Sequence, residues 1–247
     1  MQTIGFEDTL KVDTKERTNR CKRQFNKPES INVILPYEKT EEFYVEDLGE
    51  VKDRLLYAFL KRSFDIVGSL IGLIVLAIPM LIVAVAIKCT SHGSVFYKQE
   101  RVGKNGRKFN IIKFRTMVEN AEEDGAQWST SKNDARVTKV GKILRYYHLD
   151  EIPQFICILS GHMSFVGPRP ERECFYQEFE KYIHGFSERL KVKPGLTGLA
   201  QNKRDFKMKP EEKIEYDIQY IKTRSFWNDI KIIVRTLYVI ILKIEHQ

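Results

Sequence analysis

The chain has 247 residues and a formal net charge of +8 at pH 7, which is enough for one large domain with appendages and does not require two full domains. The excess of basic residues favours a polyanionic partner, and charge alone leaves nucleic acid, an anionic membrane surface and a phosphorylated substrate open. The four cysteines are far apart and form no CxxC pair, which argues against a zinc site or a disulfide framework and predicts reduced thiols in a cytoplasm.

The segment 1–55 is polar, mixed in charge and poor in periodic apolar pattern. Because such a segment can bury little apolar surface, we predict an N-terminal extension that is poorly ordered or loosely docked. Within it, the stretch INVILPYE is the local candidate for order.

The segment 56–90 contains an apolar run from Ile66 to Ile87, 22 residues without a charge, with basic residues on both sides. Its length and polarity suit a membrane helix, and about sixty residues precede it, so we expect no signal peptide. Pro79 removes a backbone hydrogen bond just past the middle, which predicts a kink at 77–79. Since positive charge marks the cytoplasmic side, the two basic flanks favour a re-entrant hairpin over an ordinary spanning helix.

Three further elements follow the apolar run. Two stretches rich in β-forming residues are joined by a polar segment with Asn105-Gly106, which predicts a β-hairpin. Pro210 and the two glutamates after it predict the start of a helix. The tail is too short and too charged to span a bilayer, so it should pack in the core or lie along the membrane interface. Its predicted apolar face consists of Trp227, Ile230, Ile233, Val234, Leu237 and Ile241.

Two adjacent carboxylates, Asp150 and Glu151, stand ahead of an apolar pattern of helical spacing. The plain interpretation is an N-cap followed by a first-turn acid. It leaves Arg145 and Arg169 unexplained. Adjacent carboxylates can bind Mg²⁺, whereas a helix N-terminus and arginines can bind phosphate, and together these groups are typical of a phosphoryl-transfer site.

These stretches together resemble the bacterial sugar transferase family, the monotopic polyprenyl-phosphate sugar-1-phosphate transferases. The resemblance covers about Lys61 to Leu242 and leaves the N-terminal extension outside. It depends on the ordered motifs KRSFD, VFYKQERVGKNGRKFNIIKFRTM, DARVTKVGKILR, LDEIPQ, MSFVGPRPE and KPGLTGLAQ, with the proline-broken apolar run between the first two.

The resemblance implies an α+β, mostly helical, membrane-associated monotopic fold with one re-entrant helix, a small β-hairpin and interfacial amphipathic helices. Segment 56–90 would be the re-entrant helix-break-helix, and 91–247 the catalytic domain, with a C-terminal interfacial helix, on the cytoplasmic face of the inner membrane. The implied reaction transfers sugar-1-phosphate from a UDP-sugar to undecaprenyl phosphate and releases UMP. It would start a lipid-linked exopolysaccharide, capsule or other glycan.

The resemblance also implies roles for individual residues. Asp150 would be the nucleophile of a phosphosugar-enzyme, and Glu151 would support it, with both carboxylates binding Mg²⁺. The residues expected to bind substrate phosphates are Arg145, Arg169, Lys113 and Arg115. The residues expected at the membrane edge are Lys61, Arg62 and Asp65, with Pro79 as the helix break. We expect Asp65 to form an exposed, weak pair with Lys61 or Arg62.

Two positions depart from the family pattern. Ile78 stands where the family often has a serine before the kink proline, so the polar groups of the broken helix need other partners. His162 stands where the family often has an aspartate. It either weakens the site or shifts its pH dependence, or it is a solvent-facing residue without a chemical role.

Two other interpretations stay open on the sequence. In the first, the protein is a non-catalytic membrane-bound partner or regulator of polysaccharide synthesis or export, whose dyad and arginines cap helices and bind anionic lipid. In the second, it is a basic nucleic-acid module tethered to the membrane, which the lack of a nucleic-acid motif disfavours. We therefore expect UDP-sugar, undecaprenyl phosphate and membrane lipids as partners, and no nucleic acid. A homo-oligomer is compatible with the sequence, which does not reveal the sugar.

Overall fold

The computed structural model describes residues 33–35, 42–122, 125–127, 134–203 and 208–245. It is a mixed α and β structure in which helices predominate, as predicted. The helices are α1 Leu55–Val75, α2 Ala77–Thr90, α3 Lys139–Tyr146, α4 Phe155–Leu159, α5 Glu173–Phe179, α6 Pro210–Thr223 and α7 Phe226–Glu245. The strands are β1 Val33–Ile34, β2 Phe43–Tyr44, β3 Phe96–Val102, β4 Lys108–Phe114, β5 Ala126–Gln127, β6 Ser164–Val166, β7 Ile183–His184 and β8 Gly195–Thr197.

The apolar run is broken into α1 and α2, whose axes are bent by 59°. Pro79 has no N–H to donate to the carbonyl of Val75, and its ring crowds that carbonyl. The break therefore falls at Leu76 (φ −90°, ψ 4°), one residue before the predicted range. Among the described helices none is long and apolar enough alone to cross a bilayer, whereas α1 and α2 together meet that test by length and composition. The bend is confirmed, and its re-entrant placement stays a prediction.

The predicted hairpin is confirmed as the antiparallel pair β3 and β4, in register from Phe96 opposite Phe114 to Val102 opposite Lys108. Asn105 (φ 56°) and Gly106 (φ 76°) both adopt the left-handed conformation in the connection. Asn and Gly tolerate this conformation best, which explains why the dipeptide sits here.

The glycine-containing motifs after α4 pack backbone against backbone. Strand β6 pairs with β8 in parallel, and Gly167 follows β6 directly. An added Cβ at Gly195 would lie 2.0 Å from the Gly167 nitrogen. This close approach fixes the segment that carries Arg169.

The described part of the predicted N-terminal extension contacts the rest of the chain through two short parallel strand pairs. Strand β1 pairs with β5, and β2 pairs with β7. Val45, next to β2, is buried in the main core. Residues 33 and 34 of the INVILPYE stretch form β1, and residues 1–32 lie outside the described part.

The main core lies between α5, β7, α6 and α7. Its fully buried members include Tyr176, Phe179, Phe186, Ile183 and Ile214. The predicted start of α6 is confirmed, with Pro210 in the first helical position and two glutamates in the first turn.

Two long helices dock against this body. Helix α1 packs against α4, where an added Cβ at Gly72 would lie 2.3 Å from the Phe155 ring. Helix α7 turns Ile232 inward (4% exposed) and leaves Trp227 73% exposed. Four residues of the predicted apolar face, Trp227, Val234, Leu237 and Ile241, are exposed, and the opposite side of the helix buries Ile232 together with the polar Asp229.

Candidate active site

The carboxylate dyad lies on a short 3₁₀ helix, Leu149–Gln154, that continues into α4. His148 precedes it in the left-handed conformation (φ 56°). The plain interpretation of Asp150 as an N-cap does not hold, because the helix begins one residue earlier and Asp150 is its second residue. The 3₁₀ helix packs against β4, which brings the dyad next to the side chains of that strand.

Glu151 forms ion pairs with two cations, one from a strand before it in the sequence and one from a segment after it. Lys113, from β4, places Nζ 2.6 Å from Glu151 Oε1. Arg169, from the segment after β6, places Nη2 2.7 Å from the same oxygen. The Arg169 side chain is nevertheless 35% exposed, so the rest of its guanidinium group remains open to a ligand.

Asp150 has a different environment from its neighbour. It is buried to 8% exposure, and among the described residues no basic side chain forms an ion pair with it. Burial, and next the charge of Glu151, raise the pKa of Asp150 to about 6. At neutral pH its carboxylate is therefore mostly ionised and more basic than an ordinary aspartate.

The two carboxylates of the dyad are thus electrostatically distinct. Burial alone would raise the pKa of Glu151, but the charges of Arg169 and Lys113 outweigh it and hold that pKa well below its ordinary range. Burial in turn lowers the pKa of Lys113, against the opposing attraction of Glu151. A permanently ionised, paired carboxylate beside an unpaired basic one suits a division into a structural or metal-binding group and a reactive one.

Arg145 is carried on the last turn of α3 and donates from Nε to Thr116 Oγ1 at 2.8 Å. Thr138 caps the start of that helix by accepting from the Gly141 N–H. Gly141 lets α3 approach the strand end closely, since an added Cβ would lie 2.0 Å from the Thr116 carbonyl oxygen. Burial lowers the pKa of Arg145, and the charge of Asp150 opposes that shift, which places Arg145 in the electrostatic environment of the dyad.

Arg115 differs from the other predicted phosphate-binding residues. Its Nη2 donates to the Ser91 carbonyl oxygen at 3.0 Å and to Ser91 Oγ at 2.7 Å, and its Nη1 donates to the His92 carbonyl oxygen. Basic side chains at a helix C-terminus satisfy carbonyls that lack partners within the helix. These contacts support a role for Arg115 in closing the end of α2 rather than in binding phosphate.

The predicted membrane-edge cluster is not a set of mutual ion pairs. Lys61 Nζ lies 2.7 Å from Asp229 Oδ2 of α7, and Arg62 donates to the last carbonyls of α4 at 2.8 Å. The expected exposed pair of Asp65 with either of them is wrong. Asp65 is 3% exposed and accepts from Ser164 Oγ and the Phe165 N–H, both at 3.0 Å. The three side chains join α1 to three other elements.

The two residues that depart from the family pattern take no part in the contacts described above. His162 Nδ1 lies 2.8 Å from Ser160 Oγ, and its ring stacks on Phe109 at 5.8 Å between centroids. Ile78 is 72% exposed.

The dyad gives a limited donor set for a metal ion. In the described part of the chain no group of three or more His, Cys, Asp or Glu side chains could hold one. One Glu151 oxygen already has two cationic partners. Mg²⁺ is commonly held by one or two carboxylates together with substrate phosphates, and Asp150 with Glu151 fits that mode.

Sequence reasoning missed the basic residues that contact the backbone of Arg169 or the nearby Glu171. Arg101 and Lys213 contact Glu171 at 3.4 and 3.0 Å, and Arg189 donates to the Arg169 carbonyl oxygen. Arg189 stands in an otherwise loop-like stretch, and no local pattern distinguishes it from a surface arginine.

Comparison with known proteins identifies the family. Residues 56–243 match the model of the family described as bacterial sugar transferase. The chain is 40% identical over 206 residues to a UDP-N-acetylgalactosamine-undecaprenyl-phosphate N-acetylgalactosaminephosphotransferase from Aeromonas hydrophila, covering 82% of this chain and 48% of the relative. It is 44% identical over 183 residues to a UDP-glucose:undecaprenyl-phosphate glucose-1-phosphate transferase from Klebsiella pneumoniae, covering 72% and 39%.

The protein of that same name from Escherichia coli is 41% identical over 184 residues, covering 72% of this chain and 39% of the relative. The chain thus spans less than half the length of these three curated relatives. The matched region contains every dyad and arginine contact described above. The chain belongs to the bacterial sugar transferase family.

Proposed function

We propose that this chain transfers sugar-1-phosphate from a UDP-sugar to undecaprenyl phosphate and releases UMP, so that it starts a lipid-linked glycan. The observation that carries the proposal is the contrast within the dyad. Glu151 is paired with Lys113 and Arg169, while Asp150 is unpaired among the described residues and has a raised pKa. Relatives named as enzymes of this reaction class support it.

In the first step, an Asp150 carboxylate oxygen attacks the phosphorus that bears the sugar. A P–O bond forms to Asp150, and the bond from that phosphorus to the bridging oxygen of the diphosphate breaks, so UMP leaves with the electron pair. The raised basicity of Asp150 strengthens it as a nucleophile. Arg169 has open donors beside the dyad and Arg145 lies in its field, so both suit the negative charge that grows on the departing UMP.

In the second step, a phosphate oxygen of undecaprenyl phosphate attacks the same phosphorus. The bond to Asp150 breaks, its carboxylate is restored, and undecaprenyl diphosphate sugar is formed. Two in-line displacements of this kind need no redox partner. The covalent phosphosugar–aspartate intermediate is the part of the proposal that most sharply separates it from direct attack by the lipid.

We also propose Mg²⁺ as the cofactor, held by Asp150 and Glu151 with oxygens of the diphosphate. When bound, it would supply positive charge against the diphosphate and the leaving group. Lys113 and Arg169 neutralise Glu151 from the protein side. Excess EDTA should abolish UMP release, and Mg²⁺ should restore it; full activity in EDTA contradicts this part of the proposal.

The proposed location is the cytoplasmic face of the inner membrane, with α1 and α2 re-entrant. Large apolar side chains are exposed along both helices and along α7, more than a surface in water normally carries. They include Leu56, Phe59, Ile71, Ile74, Leu81, Ile82, Trp227, Leu237 and Ile241. A lipid acceptor also needs a site within reach of the headgroups, and Lys61 and Arg62 tie α1 to the body that carries the dyad.

The testing experiment incubates the purified chain with a panel of UDP-sugars, undecaprenyl phosphate and Mg²⁺, and measures UMP release. The proposal expects release with at least one UDP-sugar, dependent on Asp150. A non-catalytic partner of polysaccharide synthesis, the second candidate, predicts no UMP with any sugar while the chain still binds membranes.

A further inference from the structure

The segment that carries Arg169 has no regular structure of its own. Residues 168–172, all of them described, belong to neither a helix nor a strand. Two of them are prolines and have no N–H to donate. The carbonyls of residues 168 to 171 are nevertheless all satisfied by other elements. In order, their donors are Gly195 N, Arg189 Nη2, Arg101 Nη1 and Val102 N.

The hydrogen bond to the Arg169 carbonyl comes from a buried charged side chain. Arg189 is 1% exposed, and its Nη2 lies 2.6 Å from Asp217 Oδ2 of α6 and 2.9 Å from the Arg169 oxygen. Its guanidinium lies 5.0 Å from the centre of the Phe186 ring. Its Nε and Nη1 are buried without a hydrogen-bond partner in the described structure.

Stability is a weak explanation for such a pair. Burying two charges costs a large desolvation free energy, which burying a well-packed apolar pair of similar volume does not. A buried ion pair therefore often adds nothing to the free energy of unfolding. Arg189 also leaves two of its nitrogens unsatisfied, which adds to that cost. The contact that apolar side chains could not replace is the hydrogen bond to the Arg169 backbone.

We infer that Arg189 and Asp217 are positioning residues, which fix the backbone of Arg169 so that its guanidinium group meets Glu151 and the substrate diphosphate. Asp217 orients Arg189, and Arg189 in turn restrains the Pro-Arg-Pro segment. The inference rests on the proposed function for the role of Arg169. It extends the machinery of the site to α6, which contributes no side chain to the dyad contacts.

The main test replaces both members of the pair at once, as Arg189→Met with Asp217→Leu. No buried charge is left unpaired, and the Arg169 carbonyl loses its side-chain donor. The thermal midpoint should stay within a few degrees of wild type. kcat/KM for UMP release should fall about 100-fold, the scale expected for a shift of about 1 Å in a positioned group. Ile214→Val, in the core of the same helix, is the matched control and should leave kcat/KM unchanged.

A double-mutant cycle with Arg169→Ala separates positioning from general damage. If the pair acts through Arg169, the Arg189→Met, Asp217→Leu change should cost nothing further once Arg169 is absent. Losses that multiply overturn the inference. Arg189→Lys should give an intermediate loss, because an ammonium group can still reach both oxygens but lacks the planar group that lies over the Phe186 ring.

UDP affinity, measured by calorimetry, is the second readout and does not depend on turnover. The double variant should bind UDP more weakly in the Arg169 background and equally in the Arg169→Ala background. If the wild-type chain releases no UMP, the proposed function fails, and UDP affinity alone decides the inference. If the double variant does not fold, Arg189→Met with Asp217→Asn, which also leaves no buried charge unpaired and keeps the size of the second side chain, gives the same comparison. Unchanged kcat/KM and UDP affinity in a folded variant contradict the positioning role.

Discussion

Asp150→Asn is the substitution that most directly tests the proposed chemistry. The two side chains have nearly the same shape, so the change removes the charge and the nucleophilic oxygen while keeping the packing. Asp150 forms no ion pair among the described residues, and it is not the N-cap of its helix. Its loss should therefore break no ion pair in the described structure, and only longer-range attractions to Lys113, Arg145 and Arg169 are lost.

The size of the stability change follows from the pKa of Asp150. That pKa is about 6, against an ordinary value of 3.8, because of burial and then the charge of Glu151. At ~1.4 kcal/mol for each unit of pKa, the ionised carboxylate costs the folded state roughly 3 kcal/mol at neutral pH. Protonated Asp150 carries no such cost, so the fold is relatively more stable at low pH, below the ordinary pKa of 3.8. This stability is lost as the pH rises through about 6, where the buried carboxyl group ionises. Asparagine avoids the cost, so the variant should be more stable by about 2 to 3 kcal/mol at pH 7.

The assays are chemical denaturation at several pH values and turnover with labelled UDP-sugar. The stability gap between variant and wild type should be small near pH 3 and widen as the pH rises through about 6. Wild-type turnover should rise with pH below this interval, because Mg²⁺ held by Asp150 would favour its ionised form and a protonated carboxyl group is a poor nucleophile. Without lipid acceptor, sugar label should remain on the wild-type chain and be absent from the variant, whose turnover should fall by orders of magnitude.

Three results would refute this reasoning in different ways. A variant that keeps most of its turnover shows that Asp150 is not the nucleophile. A variant that is less stable than wild type at pH 7 shows that Asp150 makes a structural contact. No trapped label, together with intersecting double-reciprocal lines, indicates direct attack by the lipid phosphate and leaves Asp150 a metal ligand.

Three further substitutions and one cysteine-labelling experiment test other parts of the structure. Arg169→Lys should reduce kcat/KM by about tenfold or more, because a point donor replaces a planar group that bridges Glu151 and the substrate; equal rates would make Arg169 structural. Gly141→Ala should destabilise the fold by about 1 to 3 kcal/mol in denaturant titration, since its Cβ would lie 2.0 Å from the Thr116 carbonyl oxygen, whereas an unchanged midpoint would show that α3 can retreat freely. Pro79→Leu should restore the missing helical hydrogen bond and let a fraction of chains span the membrane, with activity falling by that fraction. Cysteines introduced at positions 58 and 92 of the chain that keeps Pro79 should resist an impermeant external reagent in intact cells. Labelling of either position contradicts the re-entrant placement.

The local sequence was sufficient for several elements of the fold. Asn105-Gly106 predicts the hairpin because few other dipeptides tolerate two left-handed residues. Pro210 and the acids after it predict the first turn of α6. Pro79 predicts the bend between α1 and α2, and the observed break at Leu76 precedes the predicted range because the missing hydrogen bond and the ring clash both act on the turn before the proline. Each of these signals acts within about five residues.

The site required contacts that no local pattern specifies. The sequence identifies Asp150 and Glu151 as a pair but does not distinguish them electrostatically. They differ because Glu151 forms ion pairs with Lys113, from β4, and with Arg169, from the segment after β6. The same dependence explains Arg115, which the sequence groups with the residues expected to bind phosphate and whose guanidinium group contacts the end of α2 in the structure.

Residue type, spacing and the order of motifs thus determined by themselves the family, the hairpin, the bend and the position of the carboxylate dyad. Tertiary structure alone decided which carboxylate is paired, which arginine keeps an exposed guanidinium group beside the dyad, and which buried pair contacts its backbone. The physical reason is that a charged side chain has a wide choice of partners along the chain, and its pKa and role depend on burial and on charges within a few ångströms. Those distances exist only once β4, the 3₁₀ helix and the Pro-Arg-Pro segment have packed together.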